Sequence, residues 1–197
     1  MCSLTNICGP YQRRPIPVGS AYALVVKAEG GGDQNMNGLL PGAKTCFFCG
    51  RATGGLALEL HYMDGVASCE FTARETFQGY TGILHGGIIT GILDEVMFWT
   101  VFMKTKKICA TWKIEVEFRR PVVCGKAYRA SGHLLPATRN ADYLTTGIIE
   151  DESGRSCATG KASFRIMRGV ALESLMEQLD FRGVSPEILS HFQTMKR

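Results

Sequence analysis

GILHGGIITGILDE, residues 82–95, is the stretch that decides how this chain folds. A histidine and two glycines form a turn, and an apolar pattern then continues to Met103. Because this pattern is apolar on nearly every helical face, the helix is enclosed by protein rather than laid on a surface. Asp94 and Glu95 lie in the middle of the apolar run. A buried carboxylate is unfavourable unless another group pairs with it or uses it, so the helix indicates a functional site.

Strand patterns lie on both sides of this helix. Before it, residues 56–62 partly alternate, Asp64-Gly65 is a hairpin turn signal, and Val66–Thr72 supplies the returning strand. After it, four further strands joined by hairpins are predicted, over residues 110–118, 124–134, 143–150 and 157–167. The sequence therefore predicts an α+β fold in which one antiparallel sheet curves around one long helix.

Composition narrows the class of protein. The chain has 197 residues, and its apolar and charged fractions are those of an ordinary globular protein. A net charge of +4 is too small to indicate nucleic-acid binding, although clustered cations would suit a small anionic ligand.

Residues 82–103 are long enough to span a membrane, but His85 and the two carboxylates favour a buried core helix instead. Residues 1–20 resemble no secretory signal, so we expect a cytoplasmic protein.

The eight cysteines are expected to be reduced in that compartment. The segment Cys46-Phe-Phe-Cys49-Gly50 has the spacing of half a zinc site. A second matching pair is missing, because the cysteines that follow stand singly. We therefore expect a structural turn with buried thiols at this place, and neither a metal nor another cofactor.

The chain divides into three segments. Residues 1–44 read as a weakly structured N-terminal extension in which residues 35–42 form loops, and residues 45–167 read as the main domain. Residues 168–197 read as a helical extension with Ser185 as N-cap and Pro186 at the first helical position. One side of that helix is apolar and carries Ile188, Leu189, Phe192 and Met195.

The motifs together resemble a known family. His85-Gly86-Gly87, Asp94 nine residues after the histidine, and Val116-Glu117-Phe118-Arg119-Arg120-Pro121 resemble the hotdog-fold acyl-CoA thioesterases, most closely the PaaI-like, phenylacetate-pathway type. The Cys46–Gly50 segment followed by Gly55-Leu56 is similar to an N-terminal signature found in part of that family. The resemblance covers residues 45–167. It implies a hotdog fold, dimers or tetramers, and hydrolysis of an acyl-CoA or related thioester without a cofactor.

The resemblance also implies roles for single residues. Asp94 corresponds to the carboxylate that attacks the thioester or activates water, and the Gly86 amide to the group that polarises the carbonyl. Thr111 corresponds to a Ser or Thr that holds the water or the carboxylate. Some relatives have an Asn or Gln six residues before the histidine, where this chain has Gly79, so the adjacent Gln78 is the candidate for positioning water.

Further residues are assigned supporting roles at the site. His85 orients the turn or lines the pocket, and Gly87 leaves room for the substrate. Glu95 points about 100° away from Asp94 on the helix and is interpreted as a supporting or interface residue. Arg119 and Arg120 are candidates for holding the phosphates of coenzyme A, or else form a solvated edge.

The spacing of Gly86 and Asp94 requires a second chain. Eight residues of helix separate them, or about 12 Å, too far for both to touch one carbonyl. We therefore expect a homodimer, or a tetramer built from dimers, in which each site combines Gly86 of one chain with Asp94 of the other. Two alternatives stay open: a hotdog dehydratase or hydratase acting on acyl thioesters, and a hotdog module that binds acyl-CoA without catalysis.

Overall fold

The computed structural model describes residues 36–51, 54–136 and 142–195. The expectations for residues 1–35 therefore lie outside the described part of the chain. In chain order the elements are β1 (Gly38–Leu39), β2 (Gly42–Ala43), β3 (Leu60–Met63), β4 (Val66–Thr72), a 3-10 turn (Glu75–Phe77), β5 (Gln78–Tyr80), β6 (Ile83–Leu84), α1 (Gly86–Thr105), β7 (Cys109–Phe118), β8 (Ala127–Leu134), β9 (Tyr143–Asp151), β10 (Ser156–Ile166), α2 (Leu172–Gln178), β11 (Leu179–Asp180) and α3 (Pro186–Thr194).

Seven strands form one antiparallel sheet in the order β1-β3-β4-β8-β9-β10-β7. The predicted hairpin at Asp64-Gly65 is confirmed: both residues have positive φ, 51° and 81°, and β3 pairs with β4. The prediction that all strands after the helix follow by hairpins is wrong for the first of them. β7 pairs with β10 at the sheet edge, whereas β8 lies beside β4. An alternating pattern shows which side chains share a face, but it does not identify the neighbouring strand.

The sheet curves around α1 because a row of glycines in its strands lets the helix approach the backbone of the sheet. Gly132, Gly147 and Gly160 are paired with one another across β8, β9 and β10. A Cβ atom on Gly132 would lie 2.5 Å from the backbone oxygen of Val96 on α1, closer than any real contact. Larger residues in this row would push α1 away from the sheet, so the row explains why the helix can be enclosed.

The helix α1 is the core of the molecule. Its 20 residues span about 30 Å, and its last two turns are buried nearly all round. The hydroxyl of Thr100, which is fully buried, accepts from the Ala67 amide at 3.0 Å and lies 2.9 Å from the Gly132 oxygen. By length and composition α1 resembles a membrane-crossing helix, but 56% of its apolar window is buried inside this protein. It is the central helix that the sequence predicts.

The segments on either side of the main domain pack against it. β1 joins the large sheet by pairing Gly38 with Tyr62, and β2 pairs with β11 of the C-terminal segment. The prediction of loops over residues 35–42 is therefore wrong for these two short strands, because two-residue strands leave no periodic signal in a sequence. The division of the chain at residues 44 and 168 remains a sequence-based prediction.

The C-terminal helix α3 begins after Ser185, as predicted. The Ser185 hydroxyl does not cap α3 but accepts a hydrogen bond of 2.8 Å from the Leu39 amide, which fixes α3 to β1. Phe192 is fully buried, and its ring stacks on Phe102 of α1 with centroids 5.7 Å apart. Leu189, assigned to the same apolar side, is 37% exposed. The C-terminal segment thus completes the core around the end of α1.

Candidate active site

The N-terminus of α1 is built by the His-Gly-Gly turn. His85 is the N-cap, with extended φ and ψ of −63° and 136°, and its Nδ1 atom accepts a hydrogen bond of 2.9 Å from the Gly87 amide. The backbone oxygen of His85 accepts from the Ile88 and Ile89 amides. Since Nδ1 is the acceptor, the neutral ring carries its proton on Nε2. The structure thus places His85 as the residue that orients the turn.

This capping leaves one of the first amides of α1 available. Four N–H groups at a helix start have no partner within the helix. Here the His85 amide donates to the Phe77 oxygen, the Gly87 amide to His85 Nδ1, and the Ile88 amide to the His85 oxygen. The Gly86 amide donates to no group in the described part of the chain. It also lies at the positive end of the helix dipole, so it is suited to stabilise a negative oxygen.

Asp94 faces the sheet edge formed by β7. The Thr111 hydroxyl of β7 donates to Asp94 Oδ1 at 2.7 Å, so the structure brings these two predicted site residues together. Burial raises the pKa of the Asp94 carboxyl, and the hydrogen bond from Thr111 opposes that shift. A half-buried carboxylate with a raised pKa is better suited than an exposed one to accept a proton near neutral pH.

Glu95 points away from Asp94, as its helical position predicts. Its Oε1 atom accepts from the Trp99 indole N–H at 3.3 Å, and its Oε2 atom lies 3.8 Å from Cys46 Sγ. Burial, followed by the neighbouring Cys46 and Asp94 charges, raises the pKa of Glu95 to about 7. No local pattern predicts the contact with Cys46, because 49 positions of chain separate the two residues.

Gln78 is engaged in the turn that precedes the helix. Its side-chain oxygen accepts a hydrogen bond of 2.9 Å from the Gly82 amide, which closes the turn between β5 and β6. Gly79 packs against the His85 ring, where an added Cβ would lie 3.1 Å from Cδ2. The structure therefore gives Gln78 a role in shaping the His-Gly-Gly turn, and its role in positioning water stays a prediction.

Arg119 and Arg120 follow β7 and are held by neighbouring groups. Arg119 forms an ion pair of 2.8 Å with Glu117, and Arg120 donates to the Ser156 backbone oxygen at 2.6 Å. To bind phosphate, either guanidinium would have to exchange one of these partners. Phosphate binding by the two arginines stays a prediction.

Phe118 is a neighbour of the site that the sequence did not single out. Its ring lies beside Gly86, where an added Cβ would lie 3.3 Å from Phe118 Cζ, and the residue is 57% exposed. Phe118 ends β7, whereas Thr111 lies near its beginning. The two halves of the expected site therefore lie against opposite ends of the same edge strand.

A groove of about 330 Å³ lies away from these residues, between the segment that precedes β3, the end of β4 and the 3-10 turn that follows it. Its lining includes Leu58, Phe71 and Arg74. Gly86, Asp94 and Thr111 are not among the lining residues of that groove. The Gly86 amide and the Asp94 carboxylate lie about 12 Å apart along α1, too far for both to touch one carbonyl.

Comparisons with known proteins identify the fold. No family model matches the sequence, and no curated protein matches it. Solved structures do match. The chain is similar to the thioesterase superfamily protein RHA08564, with 23% identity and a TM-score of 0.50 over 54% of this chain and 55% of that one. The chain thus spans about half the length of that protein.

Two further structures are matched over most of their length. PaaI, from the phenylacetic acid degradation operon of E. coli, is 16% identical with a TM-score of 0.53, over 58% of this chain and 83% of that one. Zebra fish thioesterase superfamily member 2 is 16% identical with a TM-score of 0.54, over 61% of this chain and 93% of that one. The protein has the hotdog fold of these PaaI-type, thioesterase-superfamily structures, which confirms the architecture that the sequence resemblance implied.

Proposed function

We propose that the protein is a thioesterase that hydrolyses an acyl-CoA, or a related acyl thioester, to a free acid and a thiol. The observation that carries the proposal is the Asp94 carboxylate on the enclosed helix, held by the Thr111 hydroxyl at 2.7 Å beside an open sheet edge. The fold shared with thioesterase-superfamily structures supports this reading. The reaction needs no cofactor in this scheme.

Asp94 acts as a general base or as the nucleophile. As a base, it takes a proton from water, and the resulting hydroxide adds to the thioester carbon. As a nucleophile, it adds to that carbon itself, and water then hydrolyses the anhydride that forms. In both cases the carbonyl oxygen becomes an oxyanion, the carbon–sulfur bond breaks, and the thiolate leaves. The thiolate takes the proton that Asp94 holds in the first route, and a proton from water in the second. Thr111 keeps one carboxylate oxygen in place during these steps.

The Gly86 amide stabilises the oxyanion. Its N–H group has no acceptor in the described residues, lies at the positive end of α1, and is left open by the absence of a side chain. His85 holds the next amide and so fixes the direction of the turn. In this scheme Gly87 gives the acyl group room, and Arg119 and Arg120 exchange their present partners for coenzyme A phosphates.

The two half-sites meet through a dimer formed along β7. This strand of ten residues has no neighbour on its outer side in the described residues, and an open edge of that length is suited to pair with another strand. A two-fold axis near its middle would pair β7 with the partner's β7 in antiparallel orientation. Thr111 would then lie near the partner's Phe118, and Asp94 near the partner's Gly86. A tetramer would add a second contact between such dimers.

The test is the release of thiol from a panel of acyl-CoA substrates, followed with a thiol reagent. We expect hydrolysis of at least one substrate, and a fall in kcat of at least about 100-fold in Asp94→Asn, with acyl-CoA binding retained. Thr111→Val should lower kcat, whereas the control Thr111→Ser, which keeps the hydroxyl, should not. An intact protein that binds acyl-CoA but hydrolyses none would show a binding module instead, and hydration of enoyl-CoA without thiol release would show a hydratase.

The cellular location is part of the same proposal. An acyl-CoA substrate and reduced thiols both suit the cytoplasm. Among the described residues, Cys49, Cys69, Cys109 and Cys157 are buried free thiols. Fractionation of cells that express the tagged protein checks this placement.

A further inference from the structure

The segment Cys46–Gly50, here called the cysteine loop, reaches α1 at Glu95. The two Sγ atoms and one Glu95 carboxylate oxygen all lie within 4.8 Å of one another, and Cys46 Sγ is 3.8 Å from Glu95 Oε2. In a tetrahedral zinc site the metal–sulfur and metal–oxygen distances are about 2.3 Å and 2.0 Å, which separates the ligand atoms by about 3.5–3.8 Å. The three side chains are therefore already close to the spacing that such a metal requires.

Backbone amides fix both sulfur atoms. The Phe48 amide lies 3.3 Å from Cys46 Sγ, and the Ala43 amide lies 3.2 Å from Cys49 Sγ. Amide donors of this kind stabilise thiolates and orient metal ligands from outside the coordination shell. Gly50 makes the tight turn possible, since a Cβ there would meet the backbone oxygens of Cys46, Ala43 and Lys44. The cysteine loop is thus shaped so that both thiols point to one place.

The cysteine loop packs on α1 next to Glu95, the third side chain of the cluster. The Phe48 ring packs directly over Gly91, whose missing side chain leaves the space that the ring fills. Glu95 follows Gly91 by four residues and so lies on the same face of the helix. The Trp99 indole N–H holds Glu95 Oε1, which leaves Oε2 turned toward Cys46. Two segments far apart in the sequence therefore present a fixed set of donor atoms.

The chemistry of the cluster favours a cation. Two thiols and one carboxyl group in contact would repel one another once ionised, and a divalent cation between them would compensate the three negative charges.

We propose that Cys46, Cys49 and Glu95 bind one zinc ion. Two thiolates and one carboxylate favour zinc over magnesium or calcium, which prefer oxygen ligands only. The three side chains leave a fourth tetrahedral position for water or an added ligand. The sequence favoured a turn without metal because no second cysteine pair follows, but the third ligand comes from the central helix. This site is separate from the proposed reaction, since Glu95 and Asp94 point to different sides of α1.

The test is metal binding by the full chain, purified under a non-chelating reductant and then stripped of metal. Cobalt(II) serves as the spectroscopic probe. We expect saturation at one cobalt per chain, with a thiolate-to-cobalt charge-transfer band that zinc abolishes by displacement. Elemental analysis should find one zinc per chain after zinc is added and the excess is removed. These readouts do not depend on thioesterase activity, so they can fail or succeed independently of the proposed function.

Matched variants connect the metal to the three side chains. Cys46→Ser should lose the charge-transfer band, and Glu95→Gln should lower the affinity for cobalt by at least about 10–100-fold. The controls Cys69→Ser and Cys109→Ser change buried thiols outside the cluster and should bind as the unmodified chain does. Zinc should raise the Tm of the unmodified chain and of both controls, but not that of Cys46→Ser. Non-saturable binding, a band that persists in Cys46→Ser, or unchanged affinity in Glu95→Gln would overturn the proposal.

Discussion

The Gly86 amide can be removed without changing the helix that it begins. Gly86 is the first residue of α1, where an N–H group has no partner within the helix and proline is well tolerated. His85 already has the extended conformation that a residue before proline requires, with φ of −63° and ψ of 136°. Gly86→Pro should therefore delete one hydrogen-bond donor and keep the fold.

The expected loss follows from the role of that donor. Removing one oxyanion-hole hydrogen bond lowers kcat by about 10²–10³, or about 2.7–4 kcal/mol of transition-state stabilisation. Because the oxyanion exists only during the reaction, kcat should fall while KM changes little. Steady-state thiol release from the best acyl-CoA substrate measures both constants.

Gly86→Ala is the matched control, since it keeps the N–H group and adds only a methyl group. Its Cβ would lie 3.3 Å from Phe118 Cζ, and that ring is exposed enough to move aside. We expect Gly86→Ala to retain most of its kcat. Full activity in Gly86→Pro would refute the oxyanion role, and equal losses in both variants would show that the residue supplies space rather than a hydrogen bond.

Other predictions concern the fold. Gly132→Ala should lower the free energy of unfolding in urea by about 1–3 kcal/mol or more, because its Cβ would meet the rigid Val96 oxygen. Gly160→Ala should lower it less, because its Cβ would meet only side-chain atoms, those of Met97 at 3.4 Å and of Leu93 at 3.5 Å. Equal effects would argue against a close helix approach at Gly132. Phe192→Ala should lower it by about 3–5 kcal/mol if α3 belongs to the core, whereas the partly exposed Leu189→Ala should have a small effect. Burial, followed by the Lys104 charge, lowers the pKa of His133, so the folded state favours neutral histidine. The stability that this shift contributes is present above the pKa of the unfolded state, about 6.5, and is lost as pH falls through the lowered pKa of the folded state. His133→Gln should therefore flatten the fall of Tm below pH 6.5. An unchanged profile of Tm against pH would contradict this.

The sequence predicted the parts of the fold that depend on local pattern. The return strand Val66–Thr72, the Asp64-Gly65 hairpin and the long central helix are present as predicted. The partner of β7 was not predictable, because alternation gives a strand its faces and not its neighbour. The first strand of the domain begins at Leu60 rather than at residue 56, since the preceding residues are held by single hydrogen bonds to the cysteine loop.

The candidate site was predictable only in part, because some of its contacts join segments that are distant in the sequence. Asp94 and Thr111 were named from the resemblance, and the structure brings them into contact. The contact between Glu95 and the cysteine loop was missed, because it depends on where the loop packs on α1. Phe118 was missed because an aromatic residue at the end of a strand carries no special signal. Contacts between distant segments of the chain are set by tertiary packing, which no local pattern records.

In the proposed dimer, each active site combines Gly86 of one chain with Asp94 of the other. Its most direct test is the thiol-release activity of dimers formed from equal amounts of Asp94→Asn and Gly86→Pro chains. Random pairing makes half of the dimers mixed, and each mixed dimer would contain one intact site and one with both defects. If sites are shared, the mixture of two nearly inactive parents should reach about a quarter of the wild-type activity. Activity no higher than the mean of the two parents would contradict it.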